Sequence, residues 1–205
     1  YDIKLDCITI SKKQFMFTKD RIRQKGLNHK VNVKMMDYRD IKNKYDIIIS
    51  IEMIEAVGEK YLDKYFSIIK ENLSPGGRSA IQAIVIKDEL YKRYRKKEDF
   101  IQKHIFPGSL LLAQHRVAEA MEQVGSLFLH SWEEFSHNYA RTLKSWHERF
   151  NASLPEVRAQ GFDETFIRKW NYYLEYCHAG FNMRNVGVAQ AIYTRPNNLS
   201  LREAR

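Results

Sequence analysis

The chain has 205 residues, of which 44% are hydrophobic and 13% aromatic. A chain of this length and composition can bury a sizeable core, which excludes a largely disordered protein. It carries 34 Lys and Arg against 25 Asp and Glu, a formal net charge of +9. This basic excess favours contact with a polyanion, either an anionic membrane surface or nucleic acid.

Cysteine content and hydropathy suggest the compartment. Only two cysteines are present, Cys7 and Cys177, so a disulfide framework is not expected and a reducing compartment is favoured. The longest apolar runs are far shorter than the ~20 residues that span a bilayer. The first residues show neither the basic nor the apolar region of a secretory signal. We therefore expect a cytoplasmic protein without a transmembrane helix.

The first half of the sequence alternates strand and helix patterns. Strands are predicted at residues 5–10, 31–35, 45–51 and 78–86, and helices after Ser11 and at 61–72. Gly26 and the SPGG run at 74–77 end the two helices. The run YDIIISI at 45–51 alternates so little that we expect it to be buried on both faces. Such an alternation of elements is typical of a parallel sheet with crossover helices.

The second half is more helical and more aromatic. Helices are predicted at 114–124, 140–150 and 164–181, strands at 127–134 and 186–193, and a loop at 106–109. Pro155 and Gly161 separate the last two helices. Five aromatic residues of the last helix are expected mainly in the core, with a lipid-facing wall as the alternative; they are Trp170, Tyr172, Tyr173, Tyr176 and Phe181.

Residues 87–103 form a basic segment that contains seven Lys and Arg side chains. This segment is the predicted contact surface for a polyanion, although a solvated basic face is the commoner meaning of such a run. A recognition-helix motif and a pattern of aromatic and base-facing polar residues are both lacking, so we expect no nucleic-acid partner.

Acidic residues follow two of the predicted strands. Glu52 and Glu55 come after the strand at 45–51, and Asp37 with Tyr38 comes after the strand at 31–35. Ligands of open α/β sheets bind beyond the carboxyl ends of the strands, so the glutamates can hold a ribose or a cation, and Asp37 with Tyr38 can hold a nucleoside. Carboxylates near a helix start also complement the helix dipole, and spacing alone favours that role for the glutamates. For Asp37 and Tyr38, a structural role as a turn aspartate beside a half-buried tyrosine is an equally good explanation.

Other chemical signatures are absent from the sequence. The seven histidines form no pair with one another or with cysteine at a recognised ligand spacing, so no metal site is predicted. The SPGG run reads as a helix stop rather than as a phosphate-binding loop, because it lacks the strand-to-helix context.

Longer strings carry more information than periodicity. They occur in the order LDCITISKKQ at residue 5, DYRD at 37, YDIIISIEMIEAVGEKYLDKYF at 45, LSPGGR at 73, IQAIVI at 81, FIQKHIFPGS at 100, NYARTLKSWHERF at 138 and GFDETFIRKWNYYLEYCHAGF at 161. These strings strongly resemble the cyclopropane-fatty-acyl-phospholipid synthases, and also the mycolic-acid cyclopropane synthases and fatty-acid methyltransferases. The resemblance extends from about residue 5 to residue 193.

The resemblance implies a fold and an activity. The fold is an α/β, Rossmann-like class I methyltransferase sheet with helices on both faces and a helical lipid-binding insertion. A partial methyltransferase domain would cover residues 1–195, with the acyl-covering region at about 87–185 and a polar tail at 196–205. The implied reaction adds a methylene from S-adenosylmethionine to the cis double bond of an unsaturated phospholipid, at the anionic inner membrane surface. Methylation without ring closure and an inactive remnant are the alternatives.

The resemblance also implies site residues. The positions that match cofactor-binding residues are Thr9, Gln14, Asp37 and Tyr38. The positions that match residues around a bicarbonate, which acts as the base in the family, are Glu55, Gln82, Ile84 and Tyr139. At three positions this sequence departs from a histidine that is common in relatives. These positions are Gln82, Ala56 directly after Glu55, and Asn138 directly before Tyr139. Glutamine can hydrogen-bond an anion but cannot titrate.

One part of the family pattern has no counterpart in this sequence. The family's first strand and glycine-rich cofactor loop precede the LDCITIS string, as does a cysteine that touches the bicarbonate. In this fold that strand lies between the strands predicted at 5–10 and 45–51. The resemblance therefore implies a truncated domain, and the partners left open are an N-terminal fragment and a second copy of the chain.

Overall fold

A computed structural model describes residues 2–196 and residue 198. The chain divides into two compact units, Tyr1–Lys44 and Tyr45–Arg205. The strands are β1 Leu5–Thr9, β2 Val31–Met35, β3 Tyr45–Ile51, β4 Leu73–Ile86, β5 Leu112–Ala113, β6 Phe128–Glu134 and β7 Val186–Thr194. The α-helices are α1 Lys12–Gln24, α2 Leu62–Asn72, α3 Asp88–Tyr94, α4 Phe100–His104, α5 Gln114–Val124, α6 Ser136–Ala152, α7 Leu154–Ala159 and α8 Glu164–Asn182.

The first unit is a β-α-β arrangement. β1 and β2 pair in parallel from Leu5 with Val31 to Thr9 with Met35, so both strands end at the same level. α1 connects them, and the Ser11 hydroxyl caps this helix by accepting the N–H of Gln14 at 3.3 Å. The carboxyl ends of β1 and β2 therefore lie side by side.

The second unit is built on a mixed sheet in the order β3-β4-β7-β6, with β5 paired to β4. β4 is parallel to β3 and β5, whereas β7 is antiparallel to both β4 and β6. The parallel pairing predicted for the first half of the chain is confirmed for β1 with β2 and for β3 with β4. The sequence pattern predicted no direction for β6 and β7, and β7 returns in the opposite sense after the helices α6 to α8.

Helices cover both faces of this sheet. On one face Val188 of β7 packs into a core with Ala140, Leu143, Leu174 and Phe181 of α6 and α8. On the other face Tyr193 of β7 meets Phe66 of α2 edge-on, with ring centroids 6.0 Å apart. Side chains at odd and even positions of a strand point to opposite faces. This arrangement confirms the predicted α/β sheet with helices on both sides.

The expected burial of β3 on both faces is wrong. Ile47, Ile49 and Ile51 share one face of the strand and are 62%, 63% and 63% exposed. Their neighbours Ile48 and Ser50 on the opposite face are half-buried. Isoleucine on both faces removes the alternation that would have distinguished the exposed face from the covered one, so periodicity alone could not reveal the difference.

Several element boundaries differ from the prediction. The SPGG residues belong to β4, where the pairing skips from Tyr45 with Leu73 to Ile47 with Arg78 and leaves an irregularity between them. The short helices α3, α4 and α7 and the short strand β5 were not predicted. α7 contains Pro155 in its first turn, where the missing N–H of proline leaves no helix hydrogen bond unmade.

The described part of the chain contains no helix that is both long and apolar enough to cross a membrane. The polar tail predicted at 196–205 lies mostly outside the described residues.

Candidate active site

Two glutamates follow β3 and turn toward β4. The main-chain N–H of Glu52 donates to the carbonyl oxygen of Gln82 at 2.8 Å, directly after the last paired residues Ile51 and Gln82. Glu52 has a φ of +50°. This left-handed conformation is uncommon for a residue with a Cβ atom and tends to occur at functional sites.

The Glu52 carboxylate is the centre of a polar network. The Gln82 amide donates from Nε2 to Glu52 Oε1 at 2.9 Å, and the Tyr139 hydroxyl lies 3.4 and 3.5 Å from the two oxygens. Gln190 Nε2 donates in turn to Gln82 Oε1 at 2.9 Å, which fixes the orientation of the Gln82 amide. Burial, followed by the charge of Glu52, raises the pKa of Tyr139 to about 12. Tyr139 therefore stays protonated and acts as a donor to the carboxylate.

Glu55 is the more deeply buried carboxyl group. It lies in a short 3₁₀ turn, Ile54–Ala56, and is 8% exposed. Oε1 accepts the main-chain N–H of Ile84 at 2.6 Å, whereas Oε2 has no hydrogen-bond partner within the described residues. Burial raises the pKa of Glu55, and the charge of Glu52 raises it further. The site thus combines one carboxylate held by neutral donors with a second carboxyl group that favours its protonated form.

Aromatic side chains of α6 and α8 stand beside these acids. The rings of Tyr139 and Phe181 are 4.7 Å apart, and Tyr173 and Cys177 pack against the same core. Tyr173 and Cys177 both have a pKa raised by burial, that of Cys177 to about 12, so neither ionises near neutral pH. The wall beside the acids is therefore uncharged and largely apolar.

The aromatic residues of α8 divide between core and surface. Phe181 is buried, and Trp170 and Tyr173 are partly buried against the core, as expected. Tyr172 and Tyr176 are instead exposed. They pack on Phe100 of α4, and the ring centroids of Phe100 and Tyr172 are 4.5 Å apart. The expectation of a core position is wrong for these two tyrosines.

The predicted cofactor-binding residues lie in the first unit, at the carboxyl ends of β1 and β2. Thr9 Oγ1 donates to Gln14 Oε1 at 2.8 Å, which brings these two residues together. The Arg39 guanidinium donates two hydrogen bonds to the Asp37 carboxylate, at 2.9 and 2.8 Å. This side-chain contact is the main reason why the pKa of Asp37 is lowered to about 2. Tyr38 is half-buried in the turn that Asp37 caps. Thr9 and Asp37 lie at neighbouring strand ends, since Met36 N–H donates to the Thr9 carbonyl at 3.0 Å.

The predicted residues Glu55, Gln82, Ile84 and Tyr139 are brought together in the second unit, as their hydrogen bonds show. Sequence reasoning did not include Glu52 in this group. The signal available for it was a glutamine at position 82, because a glutamine can hydrogen-bond a carboxylate. Gln190 had no signal of its own, since it is far away in sequence and reaches the site only through the pairing of β4 with β7. Within the described part of the chain, no group of three His, Cys, Asp or Glu side chains forms a metal site.

This architecture is that of the class I methyltransferases. The crystal structure of mycolic acid cyclopropane synthase CmaA1 complexed with SAH and CTAB matches with a TM-score of 0.84 and 22% identity, over 94% of this chain and 70% of that chain. Cyclopropane synthase MmaA2 from Mycobacterium tuberculosis matches with the same TM-score, identity and coverage.

The chain belongs to the mycolic acid cyclopropane synthetase family, whose model matches residues 1–191. It is 36% identical over 183 residues to the tuberculostearic acid methyltransferase UfaA1 of Mycobacterium tuberculosis, covering 89% of this chain and 43% of that protein. It is 33% identical over 205 residues to the cyclopropane-fatty-acyl-phospholipid synthase of Escherichia coli, covering 100% of this chain and 51% of that protein. The chain thus spans about half the length of these curated relatives.

Proposed function

We propose that the protein transfers a one-carbon unit from S-adenosylmethionine to the cis double bond of an unsaturated phospholipid and closes a cyclopropane ring. The observation that carries the proposal is the network of Glu52, Gln82 and Tyr139 beside an uncharged aromatic wall, in a chain of this family. The cyclopropane-fatty-acyl-phospholipid synthase of Escherichia coli, which is similar along the whole chain, supports the choice of substrate.

The first unit offers groups that suit the nucleoside part of the cofactor. The Asp37 carboxylate can accept ribose hydroxyls or the adenine amine, the Tyr38 ring offers a stacking face, and the Gln14 amide offers donors. Thr9 orients that amide through its hydrogen bond to Gln14 Oε1. S-adenosylmethionine, when bound, supplies an electrophilic methyl group on a sulfonium centre.

The second unit offers what the acyl chain requires. Addition of a methyl group to an alkene leaves a positive charge on the acyl chain, and water would capture that cation. The wall formed by Tyr139, Tyr173, Cys177 and Phe181 is largely apolar and offers water few hydrogen-bond partners, and aromatic faces attract positive charge. A nearby proton acceptor is then needed to complete the reaction.

The residues present do not fit a bicarbonate as that acceptor. Each donor that the resemblance assigns to bicarbonate already faces a carboxyl group of this chain: Gln82 and Tyr139 face Glu52, and the Ile84 N–H faces Glu55. A second anion would in addition be repelled by the charge of Glu52. No step is therefore assigned to bicarbonate.

Methylation without ring closure is a second candidate function. The 36% identity to the tuberculostearic acid methyltransferase favours it. Both reactions begin with methyl transfer to the double bond and differ in the fate of the cation. A cyclopropane and a branched alkene each add one carbon and two hydrogens, so mass alone does not separate them.

The test is to incubate the protein with S-adenosylmethionine and vesicles of a cis-unsaturated phospholipid, and to analyse the acyl chains by chromatography and proton NMR. We expect added carbon together with the upfield resonances of cyclopropane ring protons. Vinylidene or methyl-branch resonances in their place would favour the second candidate. Acyl chains without added carbon would overturn both.

We further propose that the protein reaches its substrate as a peripheral protein on an anionic membrane surface. The basic segment 87–103 forms α3, α4 and the turn between them, where Lys92, Lys96 and Lys97 are exposed. Phe106, just after α4, and Tyr172 of α8, which packs on Phe100 of α4, add exposed aromatic rings, the side-chain type that favours a membrane interface. Together these features support a docking surface for acidic phospholipid.

A further inference from the structure

The network around Glu52 raises the question of which group removes the proton. Gln82 Nε2 donates to Glu52 Oε1 at 2.9 Å, whereas among the described residues Oε2 has only the long 3.5 Å contact with the Tyr139 hydroxyl. A carboxylate has about four lone-pair positions, so Oε2 keeps the capacity to accept a proton. Glu52 is half-buried, and this leaves its carboxylate reachable from the site.

The backbone at Glu52 supports a specific role for its side chain. A φ of +50° is disfavoured for any residue with a Cβ atom, and glycine adopts it without strain. In this conformation the Glu52 carboxylate faces Gln82 and Tyr139, and the hydrogen bond from Gln190 to Gln82 fixes the orientation of the amide that donates to it. Strain of this kind is typical of residues that a site needs in one orientation.

Glu55 is less suited to the same task. Its Oε1 is occupied by the Ile84 N–H at 2.6 Å, and its carboxyl group is almost fully buried beneath the network. Its Oε2 has no donor within the described residues, so a neutral carboxyl is the stable form there. The two glutamates therefore differ in environment: Glu52 is half-buried and faces two side-chain donors, whereas Glu55 is buried and accepts one main-chain N–H.

We propose that Glu52 is the proton acceptor of the reaction, with its carboxylate standing in the place that the resemblance gives to an external anion. This inference rests on the proposed transfer of a one-carbon unit to an alkene.

The step balances without a further reactant. After methyl transfer leaves a cation on the acyl chain, the added carbon loses one proton to Glu52 Oε2. The electron pair of the broken C–H bond forms the second carbon–carbon bond of the ring. Glu52, now protonated and half-buried, returns the proton to water. If the same electron pair instead forms a double bond, the product is the methylene branch of the second candidate function.

The test compares turnover in carbonate-free buffer and in buffer with added bicarbonate. We expect the wild-type protein to be equally active in both. Glu52→Gln keeps the shape but cannot accept a proton, so turnover should fall about 10²-fold or more in either buffer. In Glu52→Gly, the glycine can adopt the positive φ without strain, and Gln82 and Tyr139 lose the carboxylate that they face. It should be inactive without bicarbonate and regain activity when bicarbonate or formate is added.

Two controls separate catalysis from folding. Glu122→Gln removes the same charge from an exposed position on α5 and should leave turnover unchanged. Calorimetric titration with S-adenosylhomocysteine and the thermal midpoint should be the same for Glu52→Gln and for the wild type, which a merely structural Glu52 would not allow.

A wild-type protein that loses activity in carbonate-free buffer and recovers it with bicarbonate would overturn the inference while leaving the proposed function intact. Full activity of Glu52→Gln would overturn it as well. A wild-type protein that adds no carbon to any acyl chain in either buffer would instead overturn the proposed function, and this inference with it.

Discussion

Glu55 is held by the main chain of β4 at one oxygen and by no described donor at the other. A buried carboxylate with half of its hydrogen-bonding capacity unmet is unstable relative to the carboxylic acid. Its raised pKa therefore has a consequence for the stability of the protein. Because the unfolded chain releases this proton at a lower pH than the folded chain, raising the pH favours unfolding.

The variant Glu55→Gln tests this residue through the pH dependence of stability. Its side-chain oxygen can still accept the Ile84 N–H, but it carries no charge at any pH. In acid the two proteins should unfold at similar temperatures. From about pH 4.3, the ordinary pKa of a glutamate, upward, the wild type should lose stability relative to the variant, until the pH passes the raised pKa of the folded state. Thermal unfolding at a series of pH values measures the difference, and parallel profiles would contradict a buried, neutral Glu55.

The sequence could predict part of this site because part of it lies in short, distinctive strings. Glu55, Gln82, Ile84 and Tyr139 were found through such strings, and the structure brings them together. Their catalytic roles stay predictions. Glu52 lies in the same string as Glu55, yet its role depends on the β3–β4 register and on a positive φ, and neither can be read from spacing.

At the scale of elements, α6 and α8 form an antiparallel pair that positions Tyr139. The imidazole of His178 donates from Nδ1 to the Ala140 carbonyl at 2.9 Å, and the Asn151 amide donates to Asn171 Oδ1 at 2.6 Å near the opposite end. Between these contacts lies the core shared with Val188 of β7. Tyr139 precedes Ala140 on α6, so the packing of this pair fixes where its hydroxyl can reach.

Leu143→Ala should weaken this core. Leu143 is 1% exposed, and truncation leaves a cavity among the side chains of α6, α8 and β7. We expect a loss of about 3 kcal/mol in the free energy of unfolding. The matched control is Leu129→Ala on β6, where the leucine is 48% exposed and the loss should stay below about 0.5 kcal/mol. Urea unfolding of the two variants gives both values, and equal losses would contradict the assigned core.

Elements with strong local signals were predicted well. β2 and β3 have the predicted bounds, as does α5, and Ser11 caps α1 as expected. α7 was missed because Pro155 suggested a break, although proline is well tolerated in a first turn. The antiparallel direction of β7 follows from tertiary pairing and has no local signal.

At the scale of the whole molecule, the class of fold could be predicted because the family strings run in order along nearly the entire chain. The division into two compact units could not, since contacts distant in sequence define it. The net charge of +9 also says little until the structure shows which cations already have partners. Within the basic segment, Arg95 forms an ion pair with Glu59 at 2.8 Å and is thereby partly neutralised. The exposed lysines at positions 92, 96 and 97 are the ones on which the proposed docking surface rests.

The double variant Lys96→Glu with Lys97→Glu tests the proposed docking surface. Each basic residue near an anionic bilayer contributes about 1 kcal/mol to binding. Losing two should therefore lower partitioning onto phosphatidylglycerol vesicles at least about 30-fold, and the new glutamates add repulsion.

The double variant Arg141→Glu with Lys144→Glu changes the net charge equally on an exposed part of α6, so it separates a local contact from a general effect of charge. Vesicle sedimentation at low salt measures the binding, and added salt should weaken it because screening shortens the reach of the charges. Equal losses in the two variants, or equal binding of the wild type to uncharged phosphatidylcholine vesicles, would show that the basic segment is not the docking surface.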